Sequence, residues 1–489
     1  MFRLTKLLAF AGLFAVLWGT SCTPGDNGGG TPTPSPTATT PPVESFVRPN
    51  IGKLDPAGPE IAAFRAGVAA MQARPSTDPT SWIYQANIHG TYDTENLEAW
   101  DTCQHGNFFF LSWHRMYLYY FERILRKSSG DPNFALPYWD YSDATQRAIP
   151  VALRQPGDAS NPLFVSERAT GINAGAQVPA SATTFSNAMS FTNFASPQGS
   201  TLSFGGQTVP APVHFGGIFG ALESQPHNII HVLVGGNNGW MIDPNLAARD
   251  PVFWLHHANI DRLWNVWLAL GGGRTNPSTG NWPTQTFTFF DENGQKVEMT
   301  GQQVVDSAAQ LHYTYAPGSG DEAGPEAAVK SLPAEPFTDA ESEVVFEKQV
   351  GTRLTKQTKV SLSLPEAPAL EAGSTKRDVL VIEGIQYGRP GVYYEVYANL
   401  PAGTAPDANG PHYVGNIAVF GQAATGAEAT SGKHLHETAT LAYDVTDKKL
   451  GGAVTLTFVP KGLESSQEGL QTALPAHEIR FEKVKLVRE

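Results

Sequence analysis

Residues 103–125, CQHGNFFFLSWHRMYLYYFERIL, combine a long helical pattern with two histidines. Asn107 can cap a helix that runs to Gly130, because a side-chain acceptor favours a helix start and glycine often ends one. His114 lies on the apolar face of this pattern, and His105 stands just before it. The segment therefore predicts a buried helix that presents imidazole to the protein interior.

Three other helical segments of the chain also carry histidine. Asp78-Pro79 and Asp250-Pro251 each supply an N-cap followed by a first-turn proline. The histidines are His89 at the end of the first segment, His227 and His231 in ESQPHNIIHVLVGG (223–236), and His256 and His257 in ARDPVFWLHHANIDRLW (248–264). The i,i+4 spacing of His227 and His231 places both on one face of a helix.

Histidines on several convergent helices are how a helical domain builds an internal metal site. A single histidine on an apolar face is more often an ordinary core residue, whereas six or seven on four segments favour a metal centre. All-imidazole ligation, without a coordinating thiolate or carboxylate, suits copper, zinc or iron. The residues alone leave these three metals open.

Two stretches resemble the copper motifs of the tyrosinase and polyphenol oxidase family. Residues 103–125 resemble the first motif, and residues 223–236 together with 248–264 resemble the second. The resemblance covers residues 58–320 and includes FALPYWDYSD (134–143) and LHYTYA (311–316). It implies a mainly α, four-helix-bundle domain with long loops that binds two copper ions.

The resemblance also implies which histidines hold each ion. Copper A is assigned to His89, His105 and His114, and copper B to His227, His231 and His257. In the family the second histidine of the HH pair is the ligand, so His256 is expected to pack or hydrogen-bond beside the site.

Further roles follow from the same resemblance. In fungal tyrosinases and molluscan haemocyanins a cysteine at the position of Cys103 forms a thioether with the ligand at the position of His105; a free buried thiol is the alternative. Glu223 and Asn228 match residues that orient and activate a water as base, although Glu223 also suits the positive end of a helix. The spacing of the residues, independently of the resemblance, places Asp261 four residues after His257, so Asp261 is expected either to orient that ring or to pair with Arg262 or another surface cation.

The implied function is an exported oxidase that uses O2 to convert ortho-diphenols to ortho-quinones and that also hydroxylates monophenols. A catechol oxidase without the hydroxylase activity is one alternative, and a haemocyanin-like dioxygen-binding protein is another. The loop Met241–Arg249, with Pro244 and Asn245, is expected to roof the substrate entrance.

The sequence pattern changes after the helical segments. These segments are predicted to form a domain that spans residues 46–335. Residues 336–489 contain short alternating strands such as DVLVIEGI (378–385) and AVTLTFV (453–459), which predict an all-β sandwich. Parts of this region resemble the C-terminal domain of plant polyphenol oxidases, which can shield the active site; a permanent structural domain is the alternative. His434 and His436 are expected at the surface.

The N-terminus predicts export. Residues 1–22 have a basic start, a short apolar run and small residues before Cys22, which is typical of a secretory signal and similar to a lipoprotein signal. Residues 23–45 are rich in Pro, Thr and Gly and predict a tether. A lipid anchor at Cys22 would hold the protein at the cell envelope; ordinary signal cleavage, giving a periplasmic or secreted protein, is the alternative.

Composition narrows the function classes further. The net charge of -13, from 33 Lys and Arg against 46 Asp and Glu, disfavours nucleic-acid binding, which depends on clustered cations. Two cysteines among 489 residues exclude a disulfide framework. A large apolar core remains available, because 41% of the residues are hydrophobic.

Overall fold

The computed structural model describes most of the chain from residue 45 onwards. The described ranges are 45–196, 203–215, 218–237, 239–321, 343–354, 360–371, 374, 376–387, 392–418, 420, 439–448, 450–463 and 479–488. The residues from Glu44 to Glu489 form one compact unit. The predicted signal with Cys22, residues 23–44 of the tether, residues 322–335, His434 and His436 lie outside the described residues.

Helices dominate the chain before residue 320. They are α1 (Pro59–Gln72), α2 (Trp82–His89), α3 (Phe110–Ser129), α4 (Ala180–Thr183), α5 (Ser186–Ser190), α6 (Asn228–Gly235), α7 (Pro244–Ala247), α8 (Pro251–Ala269) and α9 (Ser307–Leu311). Of these, α2, α3, α6 and α8 are the four that carry predicted ligand histidines or begin next to one. No helix in the described ranges is both long and apolar enough to cross a bilayer.

Local capping explains where these helices begin and end. The Asp250 side chain accepts from the Val252 N–H at the start of α8, as predicted. Gly130 takes a left-handed conformation (φ +75°) immediately after α3. The predicted cap of α2 was wrong, because Ser81 accepts from the Tyr84 N–H and Asp78 instead holds the preceding turn through Thr80. Proline at position 79 therefore belongs to that turn, outside the helix.

A buried ion network ties the ends of the helical part together. Asp261 accepts from Arg115 Nε at 2.5 Å, from Arg48 Nη1 at 3.3 Å and from the Tyr313 hydroxyl at 2.6 Å. Arg115 and Arg48 lower the pKa of Asp261 against the effect of its burial. Asp261 is thus a buried structural carboxylate, and the cations that pair with it are these two arginines rather than Arg262.

Short strands close the helical part. β1 (Phe46–Arg48) pairs in parallel with β4 (Tyr313–Tyr315), so both ends of this part lie side by side. β2 (Thr286–Phe290) and β3 (Lys296–Thr300) form an antiparallel hairpin.

Two four-stranded sheets follow residue 343. Their strands are β5 (Glu343–Leu354), β6 (Val360–Ala367), β7 (Asp378–Tyr387), β8 (Tyr393–Ala398), β9 (Tyr413–Ile417), β10 (Ala439–Asp444), β11 (Gly452–Lys461) and β12 (Ile479–Arg488). One sheet has the order β10-β7-β12-β5 and the other β6-β11-β8-β9. All pairings in both are antiparallel. The predicted change from a helical part to a C-terminal β part is confirmed.

Candidate metal centre

The six histidines that the sequence predicts as ligands meet in the interior of the helical part. Each is at most 3% exposed. They are His89 at the end of α2, His105 in the turn before α3, His114 in α3, His227 just before α6, His231 in α6 and His257 in α8. The ring centroids of His105 and His114 are 5.0 Å apart, and those of His114 and His257 are 4.4 Å apart. The two groups of three therefore adjoin.

Backbone carbonyls fix the orientation of three of these rings. His89 Nδ1 lies 2.9 Å from the Pro244 oxygen, His231 Nδ1 lies 2.6 Å from the Met241 oxygen, and His114 Nδ1 lies 2.8 Å from the Phe110 oxygen. A carbonyl only accepts, so each Nδ1 carries the proton and each Nε2 keeps its lone pair. The loop Met241–Arg249 thus orients one histidine of each group of three.

Side chains orient two further rings. His105 Nδ1 lies 2.9 Å from Glu223 Oε1, and His227 Nδ1 lies 2.9 Å from Asn228 Oδ1. The Glu223 carboxyl also accepts from the Gly106 N–H at 3.0 Å. A carboxylate or carbonyl behind a ligand histidine is the usual way to hold the ring and raise its basicity.

The Nε2 atoms left unprotonated converge in pairs. His89 Nε2 and His105 Nε2 are 3.2 Å apart, and His231 Nε2 and His257 Nε2 are 3.3 Å apart. Two nitrogens bound to one ion at about 2.0 Å in tetrahedral geometry would lie about 3.3 Å apart. His114 Nε2 and His227 Nε2 are buried without a hydrogen-bond partner among the described residues. Lone pairs gathered in this way are stabilised by a cation between them.

The electrostatics of the site favour neutral ligands. Burial lowers the pKa of His89 to about 4 and that of His227 to about 3. Burial likewise lowers the pKa of His105 and raises that of Glu223, which favours the neutral form of each group. A metal ion on His105 would supply positive charge and thereby favour the Glu223 carboxylate.

Two other residues lie close enough to count among the possible ligands. His256 lies with His227, His231 and His257 in a group whose ligand atoms are within 4.8 Å of one another. Its ring stacks on His227 at 5.2 Å, and neither ring nitrogen has a hydrogen-bond partner in the described part of the chain. Cys103 lies within the same limit of His89 and His105, and its Sγ is 3.4 Å from His214 Nδ1.

Comparison with known proteins identifies the family. The model of the common central domain of tyrosinase matches residues 79–201 and 158–270, which include all six histidines. The polyphenol oxidase middle domain matches residues 278–320. Residues 79–270 carry the central domain of the tyrosinase and polyphenol oxidase family. Members of this family are copper oxidoreductases that act on phenols, and the cofactor is a pair of copper ions. Residues 337–459 match a domain of unknown function.

Individual members of the family extend this likeness. A tyrosinase of Hahella sp. (strain CCB-MM4) is 38% identical over 53% of this chain and 60% of its own length. The latent form of a chloroplastic polyphenol oxidase of Prunus armeniaca is 30% identical over 69% of this chain and 60% of its own length. The chain thus spans about three fifths of these two tyrosinase-family relatives.

Solved structures show the fold. The structure of latent apple tyrosinase has a TM-score of 0.62 and 22% identity, and the match covers 91% of this chain and 97% of that one. A tyrosinase from Burkholderia thailandensis has a TM-score of 0.52 and 20% identity, with coverage of 87% and 97%. The tyrosinase-family fold, a helical core with a C-terminal β part, therefore extends over nearly the whole chain.

The residues present fit a dicopper centre. They offer six buried, neutral imidazoles, of which five have Nδ1 directed at an acceptor and four have Nε2 atoms in pairs at metal-sharing distances. His257 differs, because its Nδ1 has no partner in the described ranges.

Phe420 is one residue at this tyrosinase-type site that the sequence did not indicate. It follows β9, yet its ring stacks on His231 with centroids 3.7 Å apart. The same ring lies 5.4 Å from His105 and 5.6 Å from His227. Phe420 is fully buried and covers both groups of histidines. Its aromatic character at the end of a strand gave no signal, since such residues usually pack in a sheet core.

Proposed function

We propose that this chain is an oxidase that uses O2 to convert ortho-diphenols to ortho-quinones and also hydroxylates monophenols. The observation that carries the proposal is the meeting of six buried imidazoles in one site, where four of the Nε2 atoms form two close pairs. In the proposed assignment, copper A is held by His89, His105 and His114, and copper B by His227, His231 and His257. When bound, the copper pair supplies two-electron exchange with O2. Assay of the copper-loaded protein against a catechol tests the proposal, and reversible O2 binding without turnover would instead favour a carrier.

The protein groups around the site would then act on ligands and substrate. Carbonyls of the loop and the Glu223 carboxyl keep the ligand rings in place before substrate arrives. Phe253 packs 4.1 Å from the His257 ring and 4.9 Å from the His89 ring, so it excludes water from the region between the two groups of three. A dry site strengthens the attraction between a phenolate oxygen and the metal pair.

Proton removal from a monophenol is assigned to a water held by Glu223 and Asn228. The Asn228 N–H bonds to the Glu223 carbonyl, so the two residues lie one turn apart. Asn228 Oδ1 accepts one bond from His227 and retains a second lone pair, and Glu223 Oε2 accepts from the Gly106 N–H at 3.1 Å and likewise retains one. Both oxygens can therefore accept from a shared water, which makes that water a better base.

Replacing Asn228 by Gly should reduce monophenol hydroxylation by about tenfold or more while reducing catechol oxidation less, because only hydroxylation requires the extra proton removal. The ratio of kcat/KM for a monophenol to that for its ortho-diphenol measures the effect. Equal loss of both activities would remove Asn228 from the base role. A wild type that acts only on diphenols would make this protein a catechol oxidase.

A thioether between Cys103 and His105 is proposed as a maturation product. The thiol sulfur would bond to a carbon of the His105 ring, with loss of one S–H and one C–H hydrogen; O2 at the copper pair would accept the two electrons. Peptide mass spectrometry of copper-matured protein should show a mass lower by two hydrogens and no thiol reactive after unfolding. A free thiol in fully copper-loaded protein would contradict this proposal, and metal-free protein is the control.

The C-terminal β part is proposed to shield the site. The support is the Phe420 ring over the histidines, together with contacts between the two parts. The name of the Prunus armeniaca relative, a polyphenol oxidase in its latent form, also supports this proposal. We further propose that the chain is divided into two domains, a four-helix bundle over residues 46–335 and a β-sandwich over residues 336–489.

Location is proposed from the sequence alone. Residues 1–22 would direct export, and lipidation of Cys22 would hold the protein at the cell envelope through the tether of residues 23–45. Metabolic labelling with a fatty acid tests this, and a Cys22→Ser variant should lose both the label and the membrane association.

A further inference from the structure

A chain of side-chain contacts joins the β part to the segment that carries Glu223 and His227. Asn416 Nδ2 in β9 donates to Gln225 Oε1 at 2.9 Å. Gln225 Nε2 donates in turn to the Ser181 backbone oxygen at 2.8 Å. The Ser181 hydroxyl lies 2.8 Å from the Tyr393 hydroxyl, which returns the chain of contacts to β8. Two neighbouring strands are thus attached to the helical part through α4 and Gln225.

Gln225 occupies a special place in this set. It lies two residues after Glu223 and two before His227, and its backbone leaves the helical conformation with φ −153° and ψ 125°. The extended backbone turns its side chain away from the histidines and towards β9. The residue that connects with the β part is therefore part of the segment that positions a ligand.

Asn416 is equally well placed to control Phe420. It stands four residues earlier in the chain, which spans about 13 Å at most in extended backbone. Asn416 is 4% exposed, and the Tyr443 hydroxyl holds its backbone oxygen at 2.7 Å. Its Oδ1 has no partner in the part of the chain that the structure describes, so the bond to Gln225 is the side chain's described attachment.

We propose that the Asn416–Gln225 hydrogen bond is the release point of the shield. While it is made, β9 is fixed and Phe420 covers His231. When it breaks, β9 and the strand β8 that pairs with it can move away from the helical part together, and Phe420 withdraws with them without cleavage of the chain. Gln225 then faces the opened entrance. Because Gln225 belongs to the segment Glu223–His227, the loss of the shield changes the surroundings of that segment directly. This inference rests on the shielding proposed above.

The Asn416–Gln225 contact joins two uncharged amides, and this determines how it would respond to pH and salt. An amide-to-amide bond carries no net charge, so neither pH near neutrality nor moderate salt should break it. A single neutral hydrogen bond also contributes little in net terms, and its loss changes an equilibrium by about threefold to tenfold. The bond would therefore favour the closed form of the shield, and a small change in free energy would be enough to shift the shield towards the open form.

The test compares Asn416→Ala with Asn409→Ala in the full-length, copper-loaded protein. Asn409 is exposed in a turn of the same β part, and its side chain has no role in the proposed release point. Asn416→Ala should lower the apparent KM for a catechol and speed copper removal by a small chelator, each by about threefold to tenfold. Hydrogen exchange in the peptide 413–420 should rise, and copper content should stay the same.

Gln225→Ala provides a second route to the same bond. If the two residues act through one contact, the double variant should lose copper to the chelator no faster than the faster of the two single variants. Additive effects of the two substitutions would show that they act separately, and would overturn the proposal.

The outcomes separate this inference from the shielding itself. If cleavage of the wild type between residues 322 and 335 raises kcat/KM but Asn416→Ala behaves like Asn409→Ala, the release point is wrong and the shield stands. If cleavage changes neither kcat/KM nor chelator access, both proposals fall.

Discussion

Replacing His231 by Ala should lower the copper content from about two ions per chain to about one and reduce catechol oxidation by at least about a thousandfold. His231 is fully buried, its Nδ1 is held by the Met241 oxygen, and its Nε2 faces His257. Without it, copper B would retain two of its three proposed ligands. Two-electron exchange with O2 needs both ions, so losing one removes the reaction; a thousandfold is about 4 kcal/mol of barrier. Elemental analysis and a catechol assay measure the two effects.

Controls for this prediction come from other histidines of the chain. His312→Asn, at a left-handed position outside the histidine cluster, should leave both quantities unchanged, because Asn tolerates that conformation. His256→Ala should keep two copper ions and His257→Ala should not. The reverse result for this pair would exchange their roles and make His256 the ligand. Full copper content in His231→Ala would refute the assignment of copper B.

Replacing Phe420 by Ala should raise kcat/KM of the full-length protein on a catechol by up to about a hundredfold, mainly by lowering the apparent KM. The ring covers His231 and approaches His105 and His227. Under the proposed shielding, substrate reaches the coppers only when this ring withdraws. If the open form is about 1% populated, the apparent affinity is reduced about a hundredfold, and removing the ring restores it. Steady-state kinetics before and after cleavage between residues 322 and 335 measure both effects.

A conservative variant controls for damage to the β part. Phe420→Leu keeps an apolar side chain over the site and should gain much less than Phe420→Ala. Cleavage of Phe420→Ala should add little, because its obstruction is already gone. An unchanged KM in Phe420→Ala, with cleavage still activating it, would assign the obstruction to another group. An unchanged KM under both treatments would mean that the site is open in the intact chain.

The histidine cluster could be predicted from the sequence because the patterns that indicate it are local. The spacing of His227 and His231, the caps of α8 and the apolar face around His114 all depend on residues within a few turns of one another. These patterns sufficed to predict the helices that carry the histidines. The cap of α2 was misplaced because Asp78 and Ser81 are both good caps within one turn.

The remaining features depend on long-range contacts. The Pro244 oxygen behind His89 is 155 residues away in the chain, and a backbone carbonyl leaves no trace in residue identity. Asp261 offered two local partners, yet its strongest contacts come from Arg48 and Arg115, far along the chain. Phe420 reaches His231 only because of where β9 packs, which strand patterns do not fix.

Backbone orientation of the ligands has a consequence for how this family can diversify. The carbonyls of Met241, Pro244 and Phe110 hold three histidines, and a carbonyl is supplied by every amino acid. The side chains at these positions are therefore freer to vary than Glu223 or Asn228, whose own atoms hold the ring. Sequence drift in the loop Met241–Arg249 could then reshape the approach to the coppers while leaving the ligand geometry intact. The same loop is the natural place for directed evolution of new specificity.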